Sequence, residues 1–558
     1  MIQKVGFKNF RRFKNFPEMD LGDINIFVGR NNAGKSTVLK ALQLMKGNLN
    51  TLSSVSNRKN IFASMKPMFV FDVDELAELR IDNFERALYN KAERKEITLS
   101  ATIDGCSFTI VLDGQNIEQD NYYVAVPYNF IELKDDAIHL TFDFQTRDLL
   151  LELKKNDSER FKDMLMSKKM MLDVYKRQNE QLVASLRRLN SFFHSSSEQL
   201  DIPEDMIQVV SERENVRKSL DAIRKQMKAI EQEIDELQNN DNVVTIGFIT
   251  LPEFTDTVQV NVIEQLFNNI KLYSLANFNL DMRKRENKFV ANNQQLIKDS
   301  ESELDAAKKR FLMALGAFNL EYIHAHAASQ KVIYLKEDKM DVLSRAISEF
   351  CKARILPGDT EWFFVKKWMN QFGIGDDFRI DDIQSAGYML KVIEDGKAMN
   401  LADKGTGSIQ IMTLLFSLAV ILYKTDQDRV SFYPTILVEE PEQNIHPMLQ
   451  SMLADMFVEF WQSISRGTNK SQLIIETHSE YLIRRTQVLV ANEDYKDDDE
   501  LINNSPFRVF YFQSGEDGIP YELHYNTDGS FDKPFGEGFF DAAGNSQLQL
   551  MKIARRKK

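Results

Sequence analysis

Apolar positions along this chain change their period three times, and each change predicts a different architecture. Ile24-Asn25-Ile26-Phe27-Val28 is a short, nearly unbroken apolar run, as in a buried strand, and Thr37-Val38-Leu39-Lys40-Ala41-Leu42 continues it as an amphipathic helix. Between roughly 67 and 145 the apolar residues fall at every second position: Ile97, Leu99, Ala101 and Ile103, then Phe108, Ile110 and Leu112, then Ile138, Leu140 and Phe142. Asp104-Gly105 and Asp113-Gly114 separate these runs as turns. The pattern predicts an antiparallel sheet with one buried face.

From about 150 to 240 the period becomes helical. Leu172, Tyr175, Asn179, Leu182, Leu186, Leu189 and Phe193 alternate three- and four-residue steps, and so do Val216, Leu220, Ile223, Met227, Ile230, Ile234 and Leu237. With Ser195 to Pro203 between them, the two limbs predict an antiparallel helical hairpin that projects as an arm, each limb on the order of 30–50 Å long at 1.5 Å per residue. Between about 260 and 318, Ile297, Leu304 and Phe311 suit either packing on the body or more of the arm. Strands are expected again at Lys331-Val332-Ile333-Tyr334-Leu335, Pro434 to Val438, Gln472 to Thr477 and Phe507 to Phe512. Strands alternating with helices make an open α/β sheet whose halves the arm separates. The expected divisions are an N-terminal lobe over 1–150, a helical insertion over 151–320 and a C-terminal lobe over 321–558.

The length of 558 residues calls for more than one core. No run of about twenty apolar residues is evident, and Met-Ile-Gln-Lys-Val-Gly-Phe lacks a signal-peptide pattern, so a soluble cytoplasmic protein without a membrane partner is expected. Cys106 and Cys351 are far apart, which excludes a disulfide framework or a cysteine-built zinc site. A net charge of −13 argues against a surface coated for nucleic acid but leaves room for a local basic groove. Ala554-Arg555-Arg556-Lys557-Lys558 is one basic cluster, either a solvated terminus or a nucleic-acid contact.

The chemistry begins at Gly29-Arg30-Asn31-Asn32-Ala33-Gly34-Lys35-Ser36-Thr37, between the first buried strand and its helix. Gly29 and Gly34 permit a tight wrap that aims the N–H groups of the loop, through Asn31, Asn32 and Ala33 to Thr37, at phosphate oxygens, and the helix adds its positive end. Lys35 reaches the β- and γ-phosphates and Ser36 ligates Mg²⁺. ATP and Mg²⁺ are therefore the expected cofactors. Glu439-Glu440-Pro441-Glu442 follows an apolar strand expected beside the P-loop strand: Glu439 takes the metal role and Glu440 the general-base role. His478, after the next strand, can hydrogen-bond the γ-phosphate or the attacking water. Gly405, Gly407 and Ser408 open the apolar helix from Ile411 and make a second anion-binding helix end, suited to completing a neighbouring subunit's site.

These pieces, in this order, resemble the ABC-type AAA ATPases of the SMC-like, overcoming-lysogenization-defect-like group. Phe7-Lys8-Asn9-Phe10-Arg11-Arg12-Phe13 resembles its N-terminal strand motif, which implies a nucleotide contact for Arg11. Gly29 to Thr37 resembles its Walker A, Gly405 to Gln410 its signature, Glu439 to Glu442 with His446-Pro447 its Walker B and D-loop, and Thr477-His478-Ser479 its H-loop. The departures are Glu439 in place of the more general aspartate and Gly-Thr-Gly-Ser in place of Ser-Gly-Gly. Gln145 and Gln330 are both candidates for the Q-loop. The resemblance implies an ABC-type P-loop ATPase head with an antiparallel β lobe and an inserted helical arm. It also implies a homodimer or higher homo-oligomer with ATP between Lys35 of one subunit and Ser408 of the other.

After His478 the chain is expected to lack the TOPRIM module, with its clustered acids for two metals, into which the overcoming-lysogenization nucleases continue. Asp528-Gly529-Ser530 and Phe535 to Asp541 instead resemble the ending of stand-alone ATPases of the group, including the ATPase subunit of Septu-type antiphage systems, also found with some retrons. That implies an HNH-type nuclease as partner, with a reverse transcriptase and its nucleic acid in the retron case. Two other functions fit the same residues: an SMC-like repair or maintenance ATPase that binds DNA or RNA directly, and an ATP-sensing scaffold with little hydrolysis.

Overall fold

The computed structural model describes residues 1–53, 68–71, 81, 83–119, 124–154, 168–172, 174–186, 204–239, 243–250, 261–275, 297–298, 300–323, 330–336, 338, 341–384, 386–427, 434–465, 471–495, 505–515, 518–536 and 541–557. Three sheets organise them. The largest is antiparallel and ten-stranded: β1 (Ile2–Phe10), β2 (Phe13–Asp20), β4 (Met68–Phe71), β5 (Glu96–Ile103), β6 (Cys106–Asp113), β7 (Glu118–Gln119), β8 (Val124–Lys134), β9 (Ile138–Asp143), β10 (Asp148–Lys154) and β11 (Val243–Thr250). Its main path runs β11-β10-β9-β8-β6-β5-β1-β2, with β4 and β7 paired to β8. The alternation read from the sequence is the reason: Ile97, Leu99, Ala101, Ile103, Phe108, Ile110, Leu112, Ile138, Leu140 and Phe142 all face one core.

The second sheet has six strands in the order β12 (Leu320–Ile323), β17 (Thr435–Glu439), β18 (Gln472–Glu476), β3 (Ile24–Gly29), β19 (Phe507–Phe512), β20 (Tyr521–Leu523). The first five are parallel, and β20 is antiparallel to β19. Both faces are covered, which is why its strands read as continuous apolar runs. Phe27, Leu437, Ile474 and Phe510 face the core shared with the antiparallel sheet. Ile26, Val28, Ile436, Val438 and Ile475 face a second core. Helices α1 (Lys35–Ser53), α3 (Val262–Leu275) and α4 (Glu301–Ala317) pack into the first core; α5 (Val342–Lys352), α6 (Thr360–Gln371), α7 (Thr406–Gln427), α8 (Met452–Ile464) and α9 (Glu480–Asn492) build the second. The fold is thus α/β with an antiparallel lobe.

Ile297, Leu304 and Phe311 are buried, and Phe311 meets Phe108 of β6 edge-on at 5.5 Å, so this stretch belongs to the body. The strand expected at 331–335 shrinks to β13 (Tyr334–Leu335), which joins β15 (Gly387–Glu394) in a small antiparallel sheet with β14 (Asp377–Ile383) and β16 (Lys397–Asn400). Lys331 is held by Asp338 at 2.9 Å and Asp341 at 2.5 Å, and Val332 is exposed; the buried Leu320 and Ile323 supply the parallel sheet's edge instead. Helix α7 is long and apolar enough to cross a membrane by length and composition, a run the sequence pattern did not disclose; most of it is buried in the second core.

The helical period does not begin at 150 as expected. Leu149, Leu151 and Leu153 alternate inward along β10, which pairs antiparallel with β11, and the arm is inserted between these two neighbours. Helical residues 168–172 and 174–186 and helix α2 (Glu204–Asn239) form its limbs. Leu172 and Leu220 are buried, whereas Val216, Ile223, Met227 and Ile230 are half-buried at the expected seam spacing. Lys176 lies 3.8 Å from Glu231 across the limbs. Leu189, Phe193 and the link Ser195 to Pro203 lie outside the described residues.

Candidate nucleotide-binding site

The loop from β3 into α1 is shaped by its glycines. Gly29 has φ 144° and a Cβ there would sit 2.4 Å from the Phe512 carbonyl oxygen; Gly34 has φ 97° and its Cβ would sit 2.4 Å from the Phe13 ring. Conformation and space together forbid a side chain at either position. Asn32 also turns at φ 60°, the Ala33 N–H donates to the Arg30 carbonyl, and the Thr37 N–H donates to that of Gly34. Asn31 and Asn32 are exposed, and Ala33 and Thr37 are buried. The N-terminal motif is the support beneath this wrap. Phe7 and Phe16 stack at 4.3 Å, with Phe13 edge-on to Phe16 at 5.0 Å.

Arg12, which sequence reasoning passed over, spans the loop: its guanidinium donates to the carbonyl oxygens of Asn32 and Gly515. Burial lowers its pKa. The neighbouring Arg11 turns the chain at φ 51° and donates its N–H to the Ala87 carbonyl at 2.7 Å. The Arg12 side chain thus lies on the P-loop.

Lys35 is 3% exposed; its Nζ donates to the carbonyls of Gly29 at 3.2 Å and Arg30 at 3.1 Å, and lies 3.9 Å from Glu476 Oε1. Burial lowers its pKa, and Glu476 opposes the shift. Ser36 Oγ donates to Glu476 Oε1 at 2.8 Å. The Walker-B-like strand was expected beside the P-loop strand, but β18 lies between them, so the strand-end carboxylate nearest Lys35 and Ser36 belongs to Glu476. Glu439 is one strand further out, in register with Glu476, and its Oε2 accepts from the Tyr322 hydroxyl of β12.

Beyond β17 the chain turns sharply at Glu440, φ 43°, whose N–H donates to the Glu476 carbonyl at 2.8 Å. Glu440 Oε1 is 3.6 Å from His478 Nε2. The His478 N–H donates to Glu442 Oε1 at 2.5 Å, and burial raises the Glu442 pKa. Burial, reinforced by the Lys35 ammonium, pushes His478 down to about 4. The imidazole is therefore neutral near pH 7. Burial also drives Glu476 up to about 7, against the pull of Lys35. Glu440, Glu476 and His478 each offer a ligand atom, all within 4.8 Å of one another.

The second helix end packs on the turn that follows Glu440. Helix α7 already begins at Thr406, so Gly407 and Ser408 occupy its first turn; the Ser408 N–H donates to the Gly405 carbonyl at 2.9 Å. A Cβ on Gly407 would lie 2.4 Å from the Asn444 carbonyl, so glycine lets the helix end rest on the turn that follows Glu440. Gly405 is exposed, and Gln330 Nε2 donates to the adjoining Lys404 carbonyl at 3.4 Å. Gln145 donates instead to Asp113 at 3.3 Å in the antiparallel lobe.

Residues 1–483 match the family model described as AAA ATPase domain. The chain belongs to that family. A 165-residue stretch is 27% identical to a Helicobacter pylori protein named ATP/GTP phosphatase, covering 30% of this chain and 40% of that one. A 44-residue stretch is 48% identical to an uncharacterized protein of Methanocaldococcus jannaschii, covering 8% and 20%. The chain thus spans 40% and 20% of the lengths of these curated relatives. Among solved structures, the Smc head domain of Pyrococcus furiosus bound to the C-terminal domain of ScpA aligns over 99% of both chains at 10% identity and TM-score 0.29. The recombination mediator protein RecF aligns over 94% of this chain and 98% of its own at 12% identity and TM-score 0.25. At these scores neither likeness transfers a residue's role.

In this AAA ATPase domain the P-loop fits a triphosphate nucleotide: the cradle admits no Cβ at Gly29 or Gly34, and Lys35 waits on backbone carbonyls with one carboxylate nearby. A divalent cation also fits, because Ser36 Oγ, Glu440 and Glu476 are hard oxygen donors and Glu476 Oε2 is buried without a hydrogen-bond partner. Sequence reasoning gave no role to Glu476. The signal available was an acidic residue ending an otherwise apolar strand, the same feature that singled out Glu439.

Proposed function

We propose that the protein is a Mg²⁺-dependent ATPase whose nucleotide is shared between two heads. The observation that carries this reading is the convergence of Lys35 and Ser36 on the strand-end group Glu476, Glu440 and His478. The loop N–H groups and Lys35 bind the phosphates. Ser36 and the strand-end carboxylates, Glu439 among them by resemblance, hold the Mg²⁺, which supplies charge neutralisation on the phosphate oxygens. Glu440 accepts the proton of the attacking water, and the neutral His478 orients that water without adding charge. Ser408 and Gly407 on the open end of α7 close the site of a second copy, since a helix N-terminus attracts the anion that Lys35 holds on the other side.

The resemblance of Asp528-Gly529-Ser530 to the Septu-type ATPases supports a partner nuclease of the HNH type, released or restrained by ATP turnover in antiphage defence. The test uses purified full-length protein. Lys35→Ala abolishes ATP binding in a filter or calorimetric assay, whereas Glu440→Gln retains ATP and accumulates as a dimer by light scattering. Equal ATP affinity in Lys35→Ala and the parent chain overturns the site. A monomer under saturating ATP in Glu440→Gln overturns the shared nucleotide. Affinity purification from the native host that recovers no nuclease overturns the partner.

A further inference from the structure

The parallel sheet ends in a carboxylate that sits closer to the P-loop than the one assigned to the metal by resemblance. Glu476 closes β18, the strand next to β3, and is 2% exposed. Its Oε1 accepts the Ser36 hydroxyl at 2.8 Å and lies 3.9 Å from Lys35 Nζ. Its Oε2 is buried with no hydrogen-bond partner. A buried oxygen left idle costs free energy, more so on a group that carries charge. Removing that cost takes a ligand that is cationic, small and satisfied by oxygen, which describes a divalent ion such as Mg²⁺ or Mn²⁺.

Two neighbours make the location specific. Glu440 turns back over β18 and places its carboxylate with that of Glu476 and the His478 ring inside one 4.8 Å cluster. Ser36, the P-loop hydroxyl, reaches the same carboxylate from the start of α1. Glu439 does not share it to the same degree. It lies on β17, beyond β18, and the Tyr322 hydroxyl occupies one of its oxygens.

We propose that Glu476 is the principal carboxylate that would hold the nucleotide-associated divalent cation, together with Ser36 and with Glu440 as a further oxygen donor of the same cluster. In the metal-free chain the same carboxylate holds Ser36 and Lys35 in register. Cation binding engages the idle Oε2 and leaves Lys35 to the phosphates. This rests on the reading that ATP binds at the P-loop, and the two fail differently. Loss of that reading shows as unchanged nucleotide binding in Lys35→Ala, whereas loss of this inference shows only in the metal.

The test is a titration of full-length protein with Mn²⁺, followed by electron paramagnetic resonance in the presence of a non-hydrolysable ATP analogue. Nucleotide affinity is measured separately in EDTA. Glu476→Gln is expected to weaken Mn²⁺ by roughly 10- to 100-fold while binding the nucleotide in EDTA at least as tightly as the parent chain. Glu439→Gln is expected to lose less. Parent-like Mn²⁺ affinity in Glu476→Gln, or a larger loss in Glu439→Gln, overturns the assignment. Should Glu476→Gln fail to fold by circular dichroism, Glu476→Asp keeps the charge one methylene short. It must still bind nucleotide and show weakened Mn²⁺, and unchanged Mn²⁺ affinity overturns the proposal equally.

Discussion

Each of the two large sheets places a histidine beside carboxylates, and the pKa values of the two histidines are driven in opposite directions. On the antiparallel sheet His139 of β9 lies between Glu132 of β8, at 2.6 Å from Nε2, and Glu152 of β10, at 2.9 Å from Nδ1. The hydrogen bond to Glu132 raises its pKa further than its partial burial lowers it. At the C-terminal edge of the parallel sheet His478 also sits near a glutamate, but burial and Lys35 hold it down at about 4. Residue type does not decide the charge. An antiparallel sheet with one solvated face pairs charges across its ladder, whereas a parallel sheet covered on both faces exposes only its strand ends, where charges meet in a confined space.

That contrast can be broken at several points. The largest effect is expected for Glu440→Gln at the parallel edge: turnover falls by roughly 10²–10⁴-fold with thermal stability unchanged, measured by phosphate release and a melting curve on the same sample. Phe311→Ala beneath the antiparallel sheet should do the reverse. It removes a fully buried ring packed on Phe108 and Phe267 and costs about 3–5 kcal/mol of stability by denaturant unfolding, while turnover per folded molecule is retained. Loss of turnover without loss of stability in that variant would mean the antiparallel lobe does more than support.

The histidines give opposite pH responses. For His478 the unfolded chain takes up its proton first as pH falls, so the parent chain loses stability relative to His478→Gln between about pH 6.5 and about 4. The difference is on the order of 2–3 kcal/mol, read by urea unfolding in EDTA. For His139 the folded chain is protonated more readily than the unfolded one. Its contribution is complete below about pH 6.5 and disappears as pH rises through its raised value. His139→Gln should therefore be destabilised at pH 5.5 and match the parent chain at pH 9. Parallel shifts of the two variants would sink the comparison.

Local chemistry was legible in the sequence wherever it depends on neighbours along the chain. The P-loop glycines, the alternation of Ile97 to Ile103 and the strands at Ile436, Ile474 and Val509 are all set by residues a few positions apart. What escaped is lateral order. Nothing in a single strand tells which strand lies beside it, so the position of β18 between β3 and β17, and with it the placement of Glu476 against Ser36, was hidden. Likewise the antiparallel sheet runs past residue 150 because β11, distant in sequence, pairs with the strand that carries Leu149, Leu151 and Leu153. Arg12 carries no motif signal of its own, and its reach to the loop shows only once Asn32 and Gly515 are brought to it.

The arm leaves the head after Lys154 and returns at Val243, two residues that face each other on adjoining strands. A segment whose ends meet on one ladder can grow, shrink or be exchanged without moving any other part of the head. Its root is also one terminus of the path β11-β10-β9-β8-β6-β5-β1-β2, and the other terminus carries Phe13, the ring that Gly34 rests on. Seven steps of about 4.8 Å put the two roughly 34 Å apart. The same ladder of strands therefore carries the root of the arm at one end and the support of the P-loop at the other.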